Sequence, residues 1–237
     1  MKTNNVLSMV VASSILMACN QEAEKKETAL SYPNTMRDTS VVDDYFGTKV
    51  PDPYRWLEND TSAETEAWVK AENQVTFDYL KDIPYRKDIN DRLTELWNYE
   101  KYSAPFVRGE YTYFYKNDGL QNQSVLYRQK GEEGSPEIFL DPNKFSEDGT
   151  TSLAGLSFTE DGSMVAYQIS EGGSDWRKVI VLNAETKEQI EDTLIDVKFS
   201  GVSWFNNDGF YYSSYDKPKE GSTLSGLTQF HKLFYHK

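Results

Sequence analysis

The chain is poor in two residue types that often carry chemistry. Of its 237 residues only one is a cysteine and two are histidines. A single cysteine excludes any disulfide within the chain, so packing has to stabilise the fold.

Positive charge is also scarce. The chain has 25 Lys and Arg against 38 Asp and Glu, a formal net charge of −13. This balance excludes a nucleic-acid-binding protein, because phosphate binding needs clustered basic residues on one face. It equally excludes adsorption to an anionic membrane surface. Aromatic residues make up 14% of the chain and hydrophobic residues 38%, which indicates a folded, β-rich protein with a substantial core.

The N-terminus has the pattern of a bacterial lipoprotein signal. Lys2 is followed by an apolar stretch over residues 6–17, which is shorter than the ~20 residues that span a bilayer. The segment Leu16-Met17-Ala18-Cys19 resembles a lipobox, in which the cysteine is lipidated and becomes the mature N-terminus. We therefore predict a signal peptide over residues 1–18 and lipidation at Cys19.

A polar, charged stretch over residues 19–30 predicts a flexible linker behind that anchor. Asn20, by resemblance to other lipoproteins, does not signal retention in the inner membrane. The prediction is a periplasmic or cell-envelope protein that contacts a membrane only through its lipid, with the outer membrane favoured.

Two amphipathic helices are predicted next. Thr61-x-x-Glu64 has the pattern of a capping box, and apolar residues recur at helical spacing after it, predicting a helix near residues 62–81. Pro84 stands where a second helix would begin, and its apolar positions are Ile89, Leu93, Leu96 and Trp97. Each helix has one apolar stripe that needs a partner surface.

From about residue 99 the pattern changes to short strands and turns. Asp-Gly pairs at residues 118–119, 161–162 and 208–209 precede or follow aromatic strands, and the last two pairs are about 47 residues apart. Within the middle unit we predict a strand over residues 178–182, a turn over 183–187 and a fourth strand near 189–192. Units of ~40–50 residues with about four strands are typical of β-propeller blades. Residues 99–237 hold about three such units, fewer than the ~4–8 of a closed ring.

Several longer motifs resemble the N-terminal part of prolyl oligopeptidases, a family of serine peptidases. The matching segments are residues 32–38, 44–58, 119–127, 140–150, 173–176 and 197–204. The resemblance implies a mostly β fold: an N-terminal helical arm of a split α/β-hydrolase domain over residues 31–98, then the first ~3 blades of a seven-bladed β-propeller over residues 99–237. It implies hydrolysis of short peptides after proline, with the propeller limiting substrate size and a C-terminal α/β-hydrolase portion supplying a Ser-His-Asp triad.

We find no catalytic residue among the 237. No Gly-x-Ser-x-Gly occurs, and at Ser174, the nearest approach, Asp175 and Trp176 follow in place of a small residue. His231 and His236 are predicted to be surface histidines. The loop that begins at residue 141 lacks an oxygen ligand and a glycine of a calcium site, so no metal is predicted, and the family implies no cofactor.

One binding residue follows from the resemblance. Phe199, in Val197-Lys198-Phe199-Ser200, matches a position whose ring lines the apolar subsite for the substrate residue two before the proline. The alternative is an aromatic residue of the propeller core. Asp175 matches a loop that faces the domain interface or cavity, and no role is assigned to it.

Two other functions stay open from the sequence. The first keeps the enzyme class but changes specificity to that of a dipeptidyl peptidase or an oligopeptidase preferring basic residues. The second is a surface propeller lipoprotein that binds peptide or glycan without hydrolysing it.

Overall fold

The computed structural model describes residues 30–217 and 228–237. Cys19, the predicted signal peptide and nearly all of the predicted linker lie outside the described residues. Internal contacts divide the chain into Met1–Asn34 and Thr35–Lys237. Residues 30–34 of the first unit contain no helix or strand, and everything below concerns the second. Among the described helices, none has the length and hydrophobicity needed to cross a membrane.

The second unit begins with a hairpin and two helices. Strands β1 (Val42–Tyr45) and β2 (Thr48–Pro51) pair around a tight turn, where Phe46 and Gly47 both have positive φ. A 3₁₀ turn at Arg55–Glu58 leads to helix α1 (Ala63–Lys81) and helix α2 (Arg86–Trp97). Both predicted helices are therefore present.

The predicted helix starts were wrong in detail. Ser62, and not Thr61, caps α1: its hydroxyl accepts a hydrogen bond from the Thr65 amide at 3.2 Å. Thr61 instead donates its hydroxyl to the Asn59 side chain at 3.0 Å, as part of the preceding turn. Helix α2 begins at Arg86, two residues after Pro84, because the Arg86 amide first closes a turn onto the Ile83 carbonyl.

The apolar positions predicted on α2 are exposed in the described chain. Ile89, Leu93, Leu96 and Trp97 each keep at least half of their surface accessible. This agrees with the expectation that the helix needs a partner surface, whereas its place in a split hydrolase domain remains a prediction.

Three antiparallel sheets follow the helices. In the first, β5 (Tyr111–Asn117) pairs with β3 (Lys101–Tyr102), β4 (Phe106–Arg108) and β6 (Val125–Lys130), and β6 pairs with β7 (Glu137–Leu140). The second is a meander of β8 (Thr151–Phe158), β9 (Met164–Glu171), β10 (Trp176–Asn183) and β11 (Leu194–Lys198). The third contains β12 (Ser203–Phe205), β13 (Gly209–Ser214) and β14 (Lys232–His236).

This arrangement confirms the mostly β fold with few helices. None of the described sheets closes on itself, and the seven-bladed ring stays a prediction.

The fourth strand of the middle unit was placed wrongly. It is Leu194–Lys198, whereas Gln189 forms only an isolated bridge with Leu182. The Gln189 side chain donates to the Glu191 carbonyl at 2.7 Å and to the Thr193 hydroxyl at 3.2 Å, which closes a loop and does not extend a ladder. The turn over residues 183–187 is confirmed.

The second sheet is buried on both faces. One face packs Val165, Ile180 and Leu182 against residues of the first sheet, including Tyr113 and Phe139. The opposite face packs Ala166, Val179 and Val181 against Phe210 of the third sheet. Neighbouring residues such as Val165 and Ala166 point to opposite sides because side chains alternate along a strand.

A buried arginine fastens the first sheet to the second. Arg128, on β6, is only 4% exposed, and its guanidinium donates to the carbonyls of Ala184 and Glu185 in the turn after β10. It also pairs with Glu137 at 2.6 Å, and lies 4.2 Å from the Tyr111 ring centroid. The turn is held in place by the two hydrogen bonds to its carbonyls, while the carboxylate and the ring fix the orientation of the guanidinium.

A carboxylate makes the corresponding hydrogen bond between the second and third sheets. Asp161 accepts hydrogen bonds from the Ser163 amide at 3.0 Å and from the Asn207 side chain at 2.7 Å. These donors, with the Thr159 hydroxyl, hold the pKa of Asp161 well below its usual range. The Asp161-Gly162 turn of the second sheet therefore contacts the turn that precedes Gly209 in the third sheet.

We expect Arg128→Met to lower the free energy of unfolding by about 2–3 kcal/mol, because the buried Ala184 carbonyl and the part-buried Glu185 carbonyl lose their donor. Urea unfolding of the 237-residue chain measures this. Arg92→Met is the matched control, since Arg92 is exposed on α2 and, among the residues that the structure describes, pairs with Glu95 alone. It should change stability by no more than about 0.5 kcal/mol. Equal midpoints for the two variants would contradict the role of Arg128.

Candidate ligand-binding surface at a sheet crossover

The predicted binding residue lies where the chain passes from one sheet to the next. Strand β11 forms the edge of the second sheet, with Trp176 of β10 directly opposite Lys198. Residues 199–202, here called the crossover, then lead to Ser203 at the start of β12 in the third sheet.

A bulge in β11 precedes the crossover. The pairing of β10 with β11 shifts register between Arg177 and Val179, and Asp196 on the bulged strand has a φ of 66°. The Asp196 carbonyl accepts from the Ser214 hydroxyl, and its carboxylate pairs with Lys217 at 2.7 Å. Such bulges bend a strand and redirect the side chains that follow.

Both sheets hold the crossover in place. The Gln168 side chain of the second sheet donates to the Ser200 carbonyl at 3.0 Å. From the third sheet, the Ser213 amide donates to the Ser200 hydroxyl at 2.8 Å. The residue preceding Ser200 therefore has a fixed backbone position.

Phe199 has a left-handed backbone, with φ of 51°, and is 53% exposed. It belongs to neither buried cluster of the core. Its ring meets the Tyr215 ring edge to face, at 6.2 Å between centroids. This exposure is what a ligand-binding ring requires, and it speaks against the alternative of a core aromatic.

The neighbouring lysine is buried under that ring. Lys198 is 5% exposed, and its ammonium lies 5.1 Å from the Phe199 centroid and 4.9 Å from that of Trp176. Both distances are within the ~6 Å range of cation–π attraction. Trp176 also borders a cleft of about 220 Å³ that Ser174, Asp196 and Lys217 help to line.

The other polar candidates do not form a catalytic arrangement. The Ser174 hydroxyl accepts from the Trp176 amide at 3.1 Å, as part of a turn, and Asp175 is exposed beside it. His231 stacks on Tyr215 at 4.4 Å, whereas His236 contacts Glu191 at 3.0 Å. Within residues 30–217 and 228–237, no three His, Cys, Asp or Glu side chains are grouped as metal ligands would be.

The sequence singled out Phe199, whose binding role stays a prediction, and did not indicate the residues that surround it. Trp176 and Lys198 lie in the motifs already noted. Their pairing was not predicted, because the fourth strand was expected at residues 189–192 and Lys198 lies outside that range. Tyr215 follows β13 and stands in no motif, so no sequence signal pointed to it.

Comparison with known proteins gives a consistent result. Residues 33–237 match a family described as prolyl oligopeptidase, N-terminal beta-propeller domain. A prolyl endopeptidase of Elizabethkingia meningoseptica is 58% identical over 233 residues, which cover 98% of this chain and 32% of that protein.

Solved structures agree. A structure from a study of two prolyl endopeptidases superposes with a TM-score of 0.74 at 29% identity, covering 87% of this chain and 30% of that one. Prolyl oligopeptidase B from Galerina marginata, bound to a 35-residue substrate, gives a TM-score of 0.71 at 29% identity, covering 87% and 32%. The chain thus spans about a third of the length of the relatives it matches.

Proposed function

Because this chain belongs to the prolyl oligopeptidase family, as its N-terminal portion, we propose that the whole protein is a serine-type endopeptidase that hydrolyses short peptides after proline. The observation that carries the proposal is the 58% identity to a prolyl endopeptidase over nearly all of the chain. Because that relative is named a prolyl endopeptidase, its similarity favours the prolyl branch over a dipeptidyl or basic-specific relative.

In this proposal the described residues limit the size of the substrates that enter and form part of the substrate-binding site. A propeller that covers the active site limits substrates to short peptides. We propose that the triad, a Ser nucleophile, a His base and an Asp orienter, lies outside these 237 residues, because no nucleophile-elbow motif for the serine occurs among them.

Phe199 would contact the substrate residue two before the proline. Three features support this: its half-exposed ring, the crossover that both sheets anchor, and the neighbouring cleft. An apolar ring held on a rigid backbone loses little conformational entropy when it binds a ligand.

The activity is tested with the product of the complete reading frame. We expect it to cleave a Gly-Pro reporter roughly 10- to 200-fold faster than the matched Gly-Ala reporter, because a pocket shaped for proline is only partly filled by alanine. Initial rates at several substrate concentrations give kcat/KM for both. Equal cleavage of the two reporters, or no cleavage, would overturn the proposal. Residues 20–237 alone should cleave neither, and turnover by them would show that the triad lies within this chain.

Phe199→Ala should lower kcat/KM for a Gly-Pro reporter with an aromatic blocking group by roughly 10-fold or more, mainly through KM, because an apolar contact is lost. Phe205→Ala is the matched control: Phe205, on β12, is 51% exposed and contacts Tyr211. Its kinetics should match the unmodified enzyme. If both variants behaved alike, Phe199 would not line the subsite.

We also propose that Cys19 carries a lipid that tethers the protein in the cell envelope, with the outer membrane favoured. Metabolic labelling with palmitate should mark the expressed protein and should fail to mark Cys19→Ala, because Cys19 is the only cysteine. Ser8→Ala, in the apolar part of the signal, is the control and should stay labelled. Label that persists in Cys19→Ala would reject lipidation.

A further inference from the structure

Lys198 differs from the other lysines at this end of the sheets. Lys178 pairs with Glu171 and Lys217 pairs with Asp196, both at 2.7 Å, and both ammonium groups are well exposed. Lys198 is 5% exposed, and within the described residues its ammonium is in no ion pair. Its neighbours there are the rings of Trp176 and Phe199.

Burial of this charge is costly unless its neighbours compensate for it. Ring faces do so through the negative charge of their π-systems, and desolvation strengthens that attraction. The attraction is mutual, so the ammonium also draws each ring toward itself. Trp176 is fixed in β10, directly opposite Lys198, so Phe199 is the partner whose side chain remains free to turn.

The backbone alone does not determine where the Phe199 ring points. A half-exposed aromatic side chain on a loop can occupy several rotamers. Here the ammonium attracts the ring, and Tyr215 meets it edge to face. About half of the Phe199 surface is then left open to a ligand.

We propose that Lys198 is a positioning residue: through its cation–π contact it orients the Phe199 ring and gives the subsite a preference for aromatic over aliphatic groups. The preference arises because an ammonium near the ring draws π-density toward itself, and the electron-poor ring stacks better on another aromatic ring. This inference rests on the proposed function in taking Phe199 as a substrate contact.

The kinetic test measures how the complete enzyme cleaves two peptide substrates. Both have the form X-Gly-Pro-reporter, and X is either phenylalanine or cyclohexylalanine, which differ little in size. We expect unmodified enzyme to prefer phenylalanine by about 2- to 10-fold in kcat/KM, the range of an aromatic pair. In Lys198→Met the ratio of the two kcat/KM values should fall toward one. The change should appear in KM and leave kcat unaltered, because the substitution keeps the aliphatic part of the side chain and removes its charge. Lys198→Arg should keep the preference, because a guanidinium also stacks on rings.

Two comparisons separate positioning from a general loss of stability. Lys144→Met, which removes an exposed lysine paired with Asp141 away from the cleft, should retain the preference of the unmodified enzyme. In a Phe199→Ala background, Lys198→Met should have no further effect on the preference, because the ring through which it acts is absent. A preference retained in Lys198→Met but lost in Phe199→Ala would overturn the inference and leave the proposed function intact.

A second measurement does not depend on activity. 4-Fluorophenylalanine placed at position 199 of the complete protein reports the ring environment through its ¹⁹F resonance. We expect Lys198→Met to move that resonance toward the value of a freely exposed ring, and Lys198→Arg to leave it near its original position. An unchanged resonance in Lys198→Met overturns the inference, even if Phe199 proves not to touch substrate. Conversely, an unaltered substrate preference in Phe199→Ala would refute the proposed subsite and, with it, the preference that we assign to Lys198, whatever the resonance shows.

Discussion

The burial of both faces of the second sheet is the constraint on which the rest of this structure depends. Alternating residues of its strands contribute to two separate cores, one shared with the first sheet and one with the third. Neither core can form without the neighbouring sheet, because removing that neighbour would leave one apolar face of the second sheet in water. The connections between sheets are therefore held by both neighbours, and the backbone of a residue on such a connection has a defined position.

Two buried cations illustrate how differently the same charge is used. Arg128 finds hydrogen-bond acceptors in two carbonyls and a carboxylate, which tie the first sheet to the turn after β10. Lys198 lies among rings, and one of these is half exposed on the crossover. The first arrangement stabilises the fold. The second leaves a ring accessible for contact with a ligand, which is the basis of the functional proposal.

Much of the fold could be predicted from local patterns. The aromatic strand expected beside the Asp-Gly pair at residues 118–119 is present as Tyr111–Asn117, and helical spacing predicted both helices. The errors have a common cause: short-range signals were competing with one another. Ser62 and Thr61 are both good caps, and Gln189 follows a turn as a strand residue would, but its side chain closes a loop instead. The site was only partly predictable, because the contact of Lys198 with Trp176 depends on a bulged register that no local pattern reveals.

The most direct test is a crystal structure of the complete protein with a bound peptide-like inhibitor that carries a phenyl group two residues before its proline. We expect this phenyl group to pack against the open side of the Phe199 ring, with carbon atoms about 4 Å apart, while the Lys198 ammonium stays near the ring. A phenyl group bound elsewhere, with Phe199 turned into the interior between the second and third sheets, would contradict it.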